Sequence, residues 1–337
     1  MLKNILMFAM IIVFLSSCFK KDEIVEPHDP GDVSIIVIPM TQYYSNQVYF
    51  NLDHGEIISS NTRSIFDLNF SCIDTSTIIR LNTANFALAA ETMYDNLDDV
   101  TDTIGLIWKF DKSDGNPDSI AFGNWITIND EDTTYSNKVW VINRGVDALG
   151  IMLGLRKIQF NGFADNRFYF TYSNMDNSNK VEGYVEKDEL YRDIQYSFIE
   201  DEVVQTEPER DSWDLLFTQY TTLLFTDDGL PYPYLVTGVL QKNTNIVVAL
   251  DTTMNFNDIV LADTIFADFS TALDEIGYEW KELIGDVNTG NIYYEIKLEN
   301  SYIIKGSSSY YYKLRFINFY NPETGEKGYP TFEFQKL

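Results

Sequence analysis

Along most of this chain apolar and polar residues alternate with a period of two, the spacing of a strand that buries one face. Gln47-Val48-Tyr49-Phe50 is a short example. Longer ones are Arg167-Phe168-Tyr169-Phe170-Thr171-Tyr172, Asn291-Ile292-Tyr293-Tyr294-Glu295-Ile296-Lys297-Leu298 and Tyr310-Tyr311-Tyr312-Lys313-Leu314-Arg315-Phe316. Tyr, Phe, Ile, Val and Thr dominate these runs, and their flat or branched side chains suit a pleated surface. Asn, Asp and Gly interrupt them at hairpin intervals. A 3.6-residue period is hard to find after the first seventeen residues. The pattern predicts an all-β chain of antiparallel hairpins packed into sheets.

The pattern also repeats. Tyr43 through Phe50 and Tyr191 through Phe198 each run from Tyr through Gln to Phe with the same spacing. Phe66-Asp67-Leu68-Asn69-Phe70 and Trp213-Asp214-Leu215-Leu216-Phe217 follow them, and Lys157-Ile158-Gln159-Phe160 matches Lys313-Leu314-Arg315-Phe316. Three matches in one order predict two tandem antiparallel β-sheet domains, 33–185 and 190–337. The charged stretch Glu182 to Glu189 reads as the linker between them.

The start of the chain breaks this pattern. Lys3, the apolar run Ile5 to Leu15 and the small pair Ser16-Ser17 have the layout of a signal peptide over residues 1–17. The run is too short for a permanent membrane span. Leu15-Ser16-Ser17-Cys18 resembles the lipobox of bacterial lipoproteins, which implies acylation of Cys18 and a lipid anchor. Phe19-Lys20-Lys21-Asp22-Glu23 resembles the signal that sends lipoproteins to the outer face of the outer membrane. Residues 18–32, with Pro27, Pro30 and Gly31, then read as lipidated cysteine and spacer. His28 falls in that spacer.

Composition refines the picture. With 45% hydrophobic and 15% aromatic residues the body can build a sizeable core. A formal charge of −27 sets the chain against phosphate backbones, so nucleic acid is excluded as a partner. Once Cys18 is acylated, Cys72 is the last thiol, and its alternating neighbourhood predicts a buried core position. Asp98, Asp99 and Asp102, like Asn129-Asp130-Glu131-Asp132, read as solvated turns.

In the second half a family resemblance emerges. Ser212-Trp213-Asp214-Leu215-Leu216-Phe217-Thr218-Gln219-Tyr220, Thr237-Gly238-Val239-Leu240, Tyr312-Lys313-Leu314-Arg315-Phe316 and Gly328-Tyr329-Pro330-Thr331-Phe332-Glu333-Phe334 resemble the HmuY family. The resemblance spans roughly residues 190 to 337 and reaches the first half through the internal repeat. It implies a lipid-anchored, all-β protein on the cell surface. Such a protein takes haem, or a related tetrapyrrole, from a host haem carrier and passes it to a TonB-dependent outer-membrane receptor.

The residues that would carry this role depart from the family pattern. Bis-histidine ligation of haem iron is ruled out in the second half, because the chain has only His28 and His54. Thioether sulfur also ligates haem iron, and Thr92-Met93 and Thr253-Met254 fall at comparable points of the two repeats. Met254 is therefore the candidate iron ligand, with Met93 as its counterpart. Thr226-Asp227-Asp228-Gly229-Leu230-Pro231-Tyr232-Pro233-Tyr234 reads as a stiff loop whose Tyr232 and Tyr234 can stack on a flat ring. Catalytic signatures are missing: there is no GxSxG elbow, HExxH or Gly-rich phosphate loop, and the chain reads as a binding protein rather than an enzyme. Two other readings stay open: a structural or interaction lipoprotein that kept the fold and lost the haem site, and an accessory that binds carbohydrate or peptide on aromatic surfaces.

Overall fold

The alternating runs fold as strands. The computed structural model describes residues 31–337 without 124, 130, 131, 243 and 287–290, and no α-helix occurs among the described residues. The predicted signal peptide, Cys18, His28 and most of the spacer lie outside them.

In chain order the strands are β1 (Ser34–Val37), β2 (Asn46–Asn51), β3 (Glu56–Thr62), β4 (Leu68–Ser71), β5 (Ile79–Leu81), β6 (Leu88–Glu91), β7 (Ile126–Asn129) and β8 (Asp132–Tyr135). Next come β9 (Val139–Asn143), β10 (Leu155–Ala164), β11 (Arg167–Ser173), β12 (Val181–Glu186), β13 (Asp193–Ser197), β14 (Glu202–Val204), β15 (Leu215–Phe225) and β16 (Pro231–Gln241). The last are β17 (Val247–Asp251), β18 (Lys281–Asp286), β19 (Asn291–Ile296), β20 (Ser301–Lys305), β21 (Tyr311–Tyr320) and β22 (Lys327–Lys336).

These strands form two sets of sheets with the same make-up. One set has the orders β12-β11-β10-β9-β6 and β14-β13-β4-β5 with the hairpin β7-β8; the other has β1-β22-β21-β20-β17 and β16-β15-β2-β3 with the hairpin β18-β19. Each set closes on its own apolar core. Leu68, Phe70, Trp125, Trp140, Phe160 and Phe168 belong to the first, and Phe50, Leu215, Phe217, Trp280, Phe316 and Phe332 to the second. We call the first set, a continuous stretch of chain, the middle lobe. The second, built from both ends, is the terminal lobe.

The sheets therefore do not divide at residues 182–189, and the tandem boundaries 33–185 and 190–337 do not separate them. Strands β1 and β2, inside the expected first domain, pair with β22 and β15, while β13, inside the expected second, pairs with β4. The stretch expected as a linker contains β12, which pairs with β11 along its length. Glu182, Tyr184 and Glu186 point to solvent there while Val185 is buried, so an edge strand with a charged outer face has the composition of a linker.

The repeated motifs sit at matching places in the two lobes. The Tyr-to-Phe segments form β2 and β13, and the Asp-Leu motifs open β15 and β4, their antiparallel partners. In each lobe the motif aspartate is buried and ties the strand crossing. Asp67 accepts the Phe198 N–H at 2.7 Å and the Arg144 guanidinium at 2.6 and 3.2 Å. Asp214 accepts the Leu52 N–H at 2.8 Å and the Ser307 hydroxyl at 2.7 Å. Lys157 and Lys313, at matching places in the repeated motif, are buried as well. Lys157 Nζ donates to the Val100 carbonyl at 2.8 Å, and Lys313 Nζ to those of Phe256 and Ile259 at 2.8 and 3.0 Å. In each case the strand's second face is covered by a loop whose carbonyls take the ammonium, replacing its hydration. Cys72 is buried, and burial pushes its thiol up to about 11, so it stays an unreactive core residue.

Candidate functional site

The hairpin β15–β16 carries the sequence-predicted tyrosines. Its two strands pair from Leu215↔Gln241 out to Phe225↔Pro231. The turn between them is closed by Thr226 N–H on the Leu230 carbonyl at 3.0 Å, with Gly229 at φ 77°, a conformation that suits a residue without Cβ. The expected loop is thus shorter than the sequence suggested, and Pro231 to Tyr234 already belong to β16. Proline is tolerated there because β16 is the edge of its sheet and needs no outward N–H. The strand period places Tyr232 and Tyr234 on one face, their rings 6.2 Å apart and nearly perpendicular.

A cleft of about 520 Å³ lies against this hairpin, within the range of small-molecule sites. Tyr44, Tyr234, Tyr278 and Tyr294 line it, together with Leu224 and Leu283. Tyr232 is not part of the lining and packs edge-on against Tyr234. Burial, and then the neighbouring phenols, push the Tyr44 hydroxyl well up, and burial raises that of Tyr294. Both therefore present neutral hydrogen-bonding groups at physiological pH.

Lys281 lies deepest among the charged groups of this cleft, only 6% exposed. Its Nζ donates to the carbonyls of Thr237 at 2.5 Å and Tyr278 at 3.4 Å, and lies 4.1 Å from the Trp280 ring centroid and 5.0 Å from that of Phe319. With the Tyr294 ring at 5.7 Å, two carbonyls and three aromatic faces are what the ammonium has in exchange for water. Desolvation pushes its pKa down to about 7. Lys297 and Lys327 join it against Glu279 and Glu282, so lysines outnumber carboxylates in this cleft although the whole chain carries −27. Tyr44, Tyr294 and the neighbours Tyr278 and Lys281 were not read as one site in the sequence because they come from three separate segments. The Trp280-Lys281 pair beside Tyr278 was the one local hint.

The methionines lie elsewhere. Met254 is half-buried against Ile259, Ile303 and Leu337, and its N–H donates to the Asp251 carboxylate at 3.1 Å. Met93 is 80% exposed, and its carbonyl accepts from Lys138 Nζ at 2.8 Å. Each follows the edge strand of a five-stranded sheet, β17 or β6, so their positions do correspond. Neither lines the tyrosine cleft, and the structure does not bring Met254 together with Tyr232 and Tyr234. His54 is exposed in the β2–β3 turn, its N–H on the Asn51 side chain at 2.8 Å.

No curated protein matches the chain. Among solved structures it is similar to apo PinO from Porphyromonas gingivitis, at 10% identity with 91% of this chain and 98% of that one covered and a TM-score of 0.29. It is also similar to the apo HmuY analog TFO from Tannerella forsythia, at 10% identity with 92% and 99% covered and a TM-score of 0.25. A candidate HmuY-like haem-binding protein from Bacteroides vulgatus gives 10% identity, 91% and 93% coverage and a TM-score of 0.24. A family model described as HmuY protein matches residues 43–334, running through both lobes, and by that match the chain belongs to the HmuY family.

Proposed function

We propose that this chain is a lipid-anchored surface protein that holds haem or a related tetrapyrrole in the tyrosine cleft and hands it to a TonB-dependent receptor in the outer membrane. The observation that carries the reading is the chemistry of the cleft: aromatic walls with a surplus of lysine in a strongly acidic protein. A planar macrocycle stacks on Tyr234 and the apolar walls, and its carboxylates pair with Lys297 and Lys327. A tyrosine can also ligate ferric haem. The lipobox at Cys18 supports the anchor, and family membership supports the ligand class.

The test is a hemin titration of the body from Gly31 onward, followed by absorbance in oxidising and reducing conditions. A saturable Soret shift that weakens at least about tenfold in Tyr234→Ala supports the reading. Featureless, non-saturating uptake supports the other one, an interaction lipoprotein that kept the fold for a different partner. That second reading draws on one observation: among the described residues no histidine or methionine lines the cleft.

A further inference from the structure

A second cleft, of about 610 Å³, shares Tyr278, Glu279 and Lys297 with the tyrosine cleft and has the opposite character. Its lining carries Asp274, Glu275, Glu279 and Glu299 against the single Lys297. Asp274 accepts a hydrogen bond from the Ser113 hydroxyl. The carboxylates of Glu275, Glu279 and Glu299 have no ion pair among the described residues.

A separate observation turns this acidic lining into a built site. Tyr220, on β15, lines the cleft while only 1% exposed, and its hydroxyl has no hydrogen-bond partner among the described residues. The hydroxyl lies beside Gly277, also in the lining, where an added Cβ would come within 3.4 Å of it. Neighbouring Tyr302 is equally buried, but its hydroxyl donates to the Ile276 carbonyl at 3.3 Å and is accounted for. Burial, then the field of Asp274, hold the Tyr220 phenol protonated. A neutral phenol with free lone pairs, among carboxylates that lack cations, is a receptor for a positively charged hydrogen-bond donor. Leu250, 46% exposed on the edge strand β17, and Tyr278 add apolar and aromatic surface at the same cleft.

We propose that this second cleft binds an alkyl cation, an ammonium or guanidinium group on a flexible methylene stem. Tyr220 accepts a hydrogen bond from the charged head, Glu275, Glu279 and Glu299 balance its charge, and Leu250 and Tyr278 cover the stem. The source of that group is a free polyamine or a basic side chain of a peptide. The proposal does not rest on the haem reading, although the two clefts share Tyr278, Glu279 and Lys297.

Calorimetric titration of the chain from Gly31 onward with spermidine, and in parallel with a Lys-Arg-Lys peptide, tests the proposal. Tyr220→Phe keeps every charge and removes one oxygen, so about a tenfold loss of affinity is expected from the missing charge-assisted bond. Leu250→Arg, at an exposed position, sets a cation at the mouth and is expected to abolish binding while leaving thermal unfolding unchanged. Tighter binding of spermidine than of the peptide identifies a polyamine as the source, and the reverse order identifies a basic side chain. Diffuse attraction to an acidic protein would instead leave affinity unchanged in Tyr220→Phe and lower it equally in Glu275→Gln and in Glu182→Gln of the middle lobe, and that result overturns the proposal.

Discussion

The two lobes share one plan of sheets and differ most in the hairpin that follows the buried aspartate. In the middle lobe β4 and β5 are four and three residues long; in the terminal lobe β15 and β16 are eleven each. The scaffold beneath is alike. Trp125 lies 5.3 Å from Phe160, and Trp280 stacks 4.0 Å from Phe316, each just before the first strand of its lobe's two-stranded hairpin. The next residue is Ile126 in one lobe and Lys281 in the other. The middle lobe has a larger cleft, about 1030 Å³, but Glu182, Glu186, Asp188, Glu189, Asp201 and Glu202 line it, and an anionic ligand would be repelled. A common core thus carries the packing, while the long hairpin and Lys281 belong to the terminal lobe alone, where we propose that the anionic ring binds.

The largest effect expected from this comparison concerns the paired aspartates. Asp67→Ala leaves the buried Arg144 without its carboxylate and is expected to cost about 3–5 kcal/mol. Asp214→Ala removes bonds to neutral donors only and is expected to cost about 1–3 kcal/mol. Urea unfolding of both variants measures this, and equal losses would overturn the difference assigned to Arg144.

Hemin affinity comes next. Tyr234→Ala is expected to lose at least about 1.4 kcal/mol of binding, a factor of ten, whereas Tyr184→Ala in the middle lobe leaves it unchanged. Sensitivity at Tyr184 instead would move the site to the other lobe.

Between the lobes, Glu207 lines a small cavity with Tyr49, Trp213, Arg192 and Asp193. Burial, then the Asp193 charge, push its carboxyl up to about 8. The folded state therefore holds a proton that the unfolded chain releases near pH 4.5, and the associated stability is full below that pH and lost as pH rises through 8. Glu207→Gln is expected to flatten this part of the pH profile by at least on the order of 1 kcal/mol, read from unfolding midpoints at pH 5 and pH 8.

The smallest effects separate the methionines. Met254→Ala opens a partly buried contact and is expected to cost about 1–2 kcal/mol; Met93→Ala, at an exposed site, is expected to stay within about 0.5 kcal/mol. Neither is expected to alter a hemin spectrum. A lost Soret band in Met254→Ala would return the methionine to the site.

Much of the architecture was legible in the residues. Period-two alternation marks strands because it reflects a local geometry, and the Asp-Leu motifs stood out because each lobe needs a buried carboxylate at the same crossing. Tyr232 and Tyr234 were visible as a pair for the same reason, since i and i+2 share a face. The buried lysines were not legible: Lys157 and Lys313 alternate like solvent-facing residues, and only the loop carbonyls packed over them show otherwise.

By itself the sequence determined the all-β class, the repeated strand motifs and the family, all of which are written in short stretches of neighbouring residues. Only the tertiary structure decided that β1 and β2 belong with β22 and β15, that the expected linker is an edge strand, and that Tyr44, Tyr234, Tyr278, Tyr294 and Lys281 share one cleft. The physical reason is that strand partners are chosen by which apolar faces close a core together, and that choice is made between segments far apart in the chain.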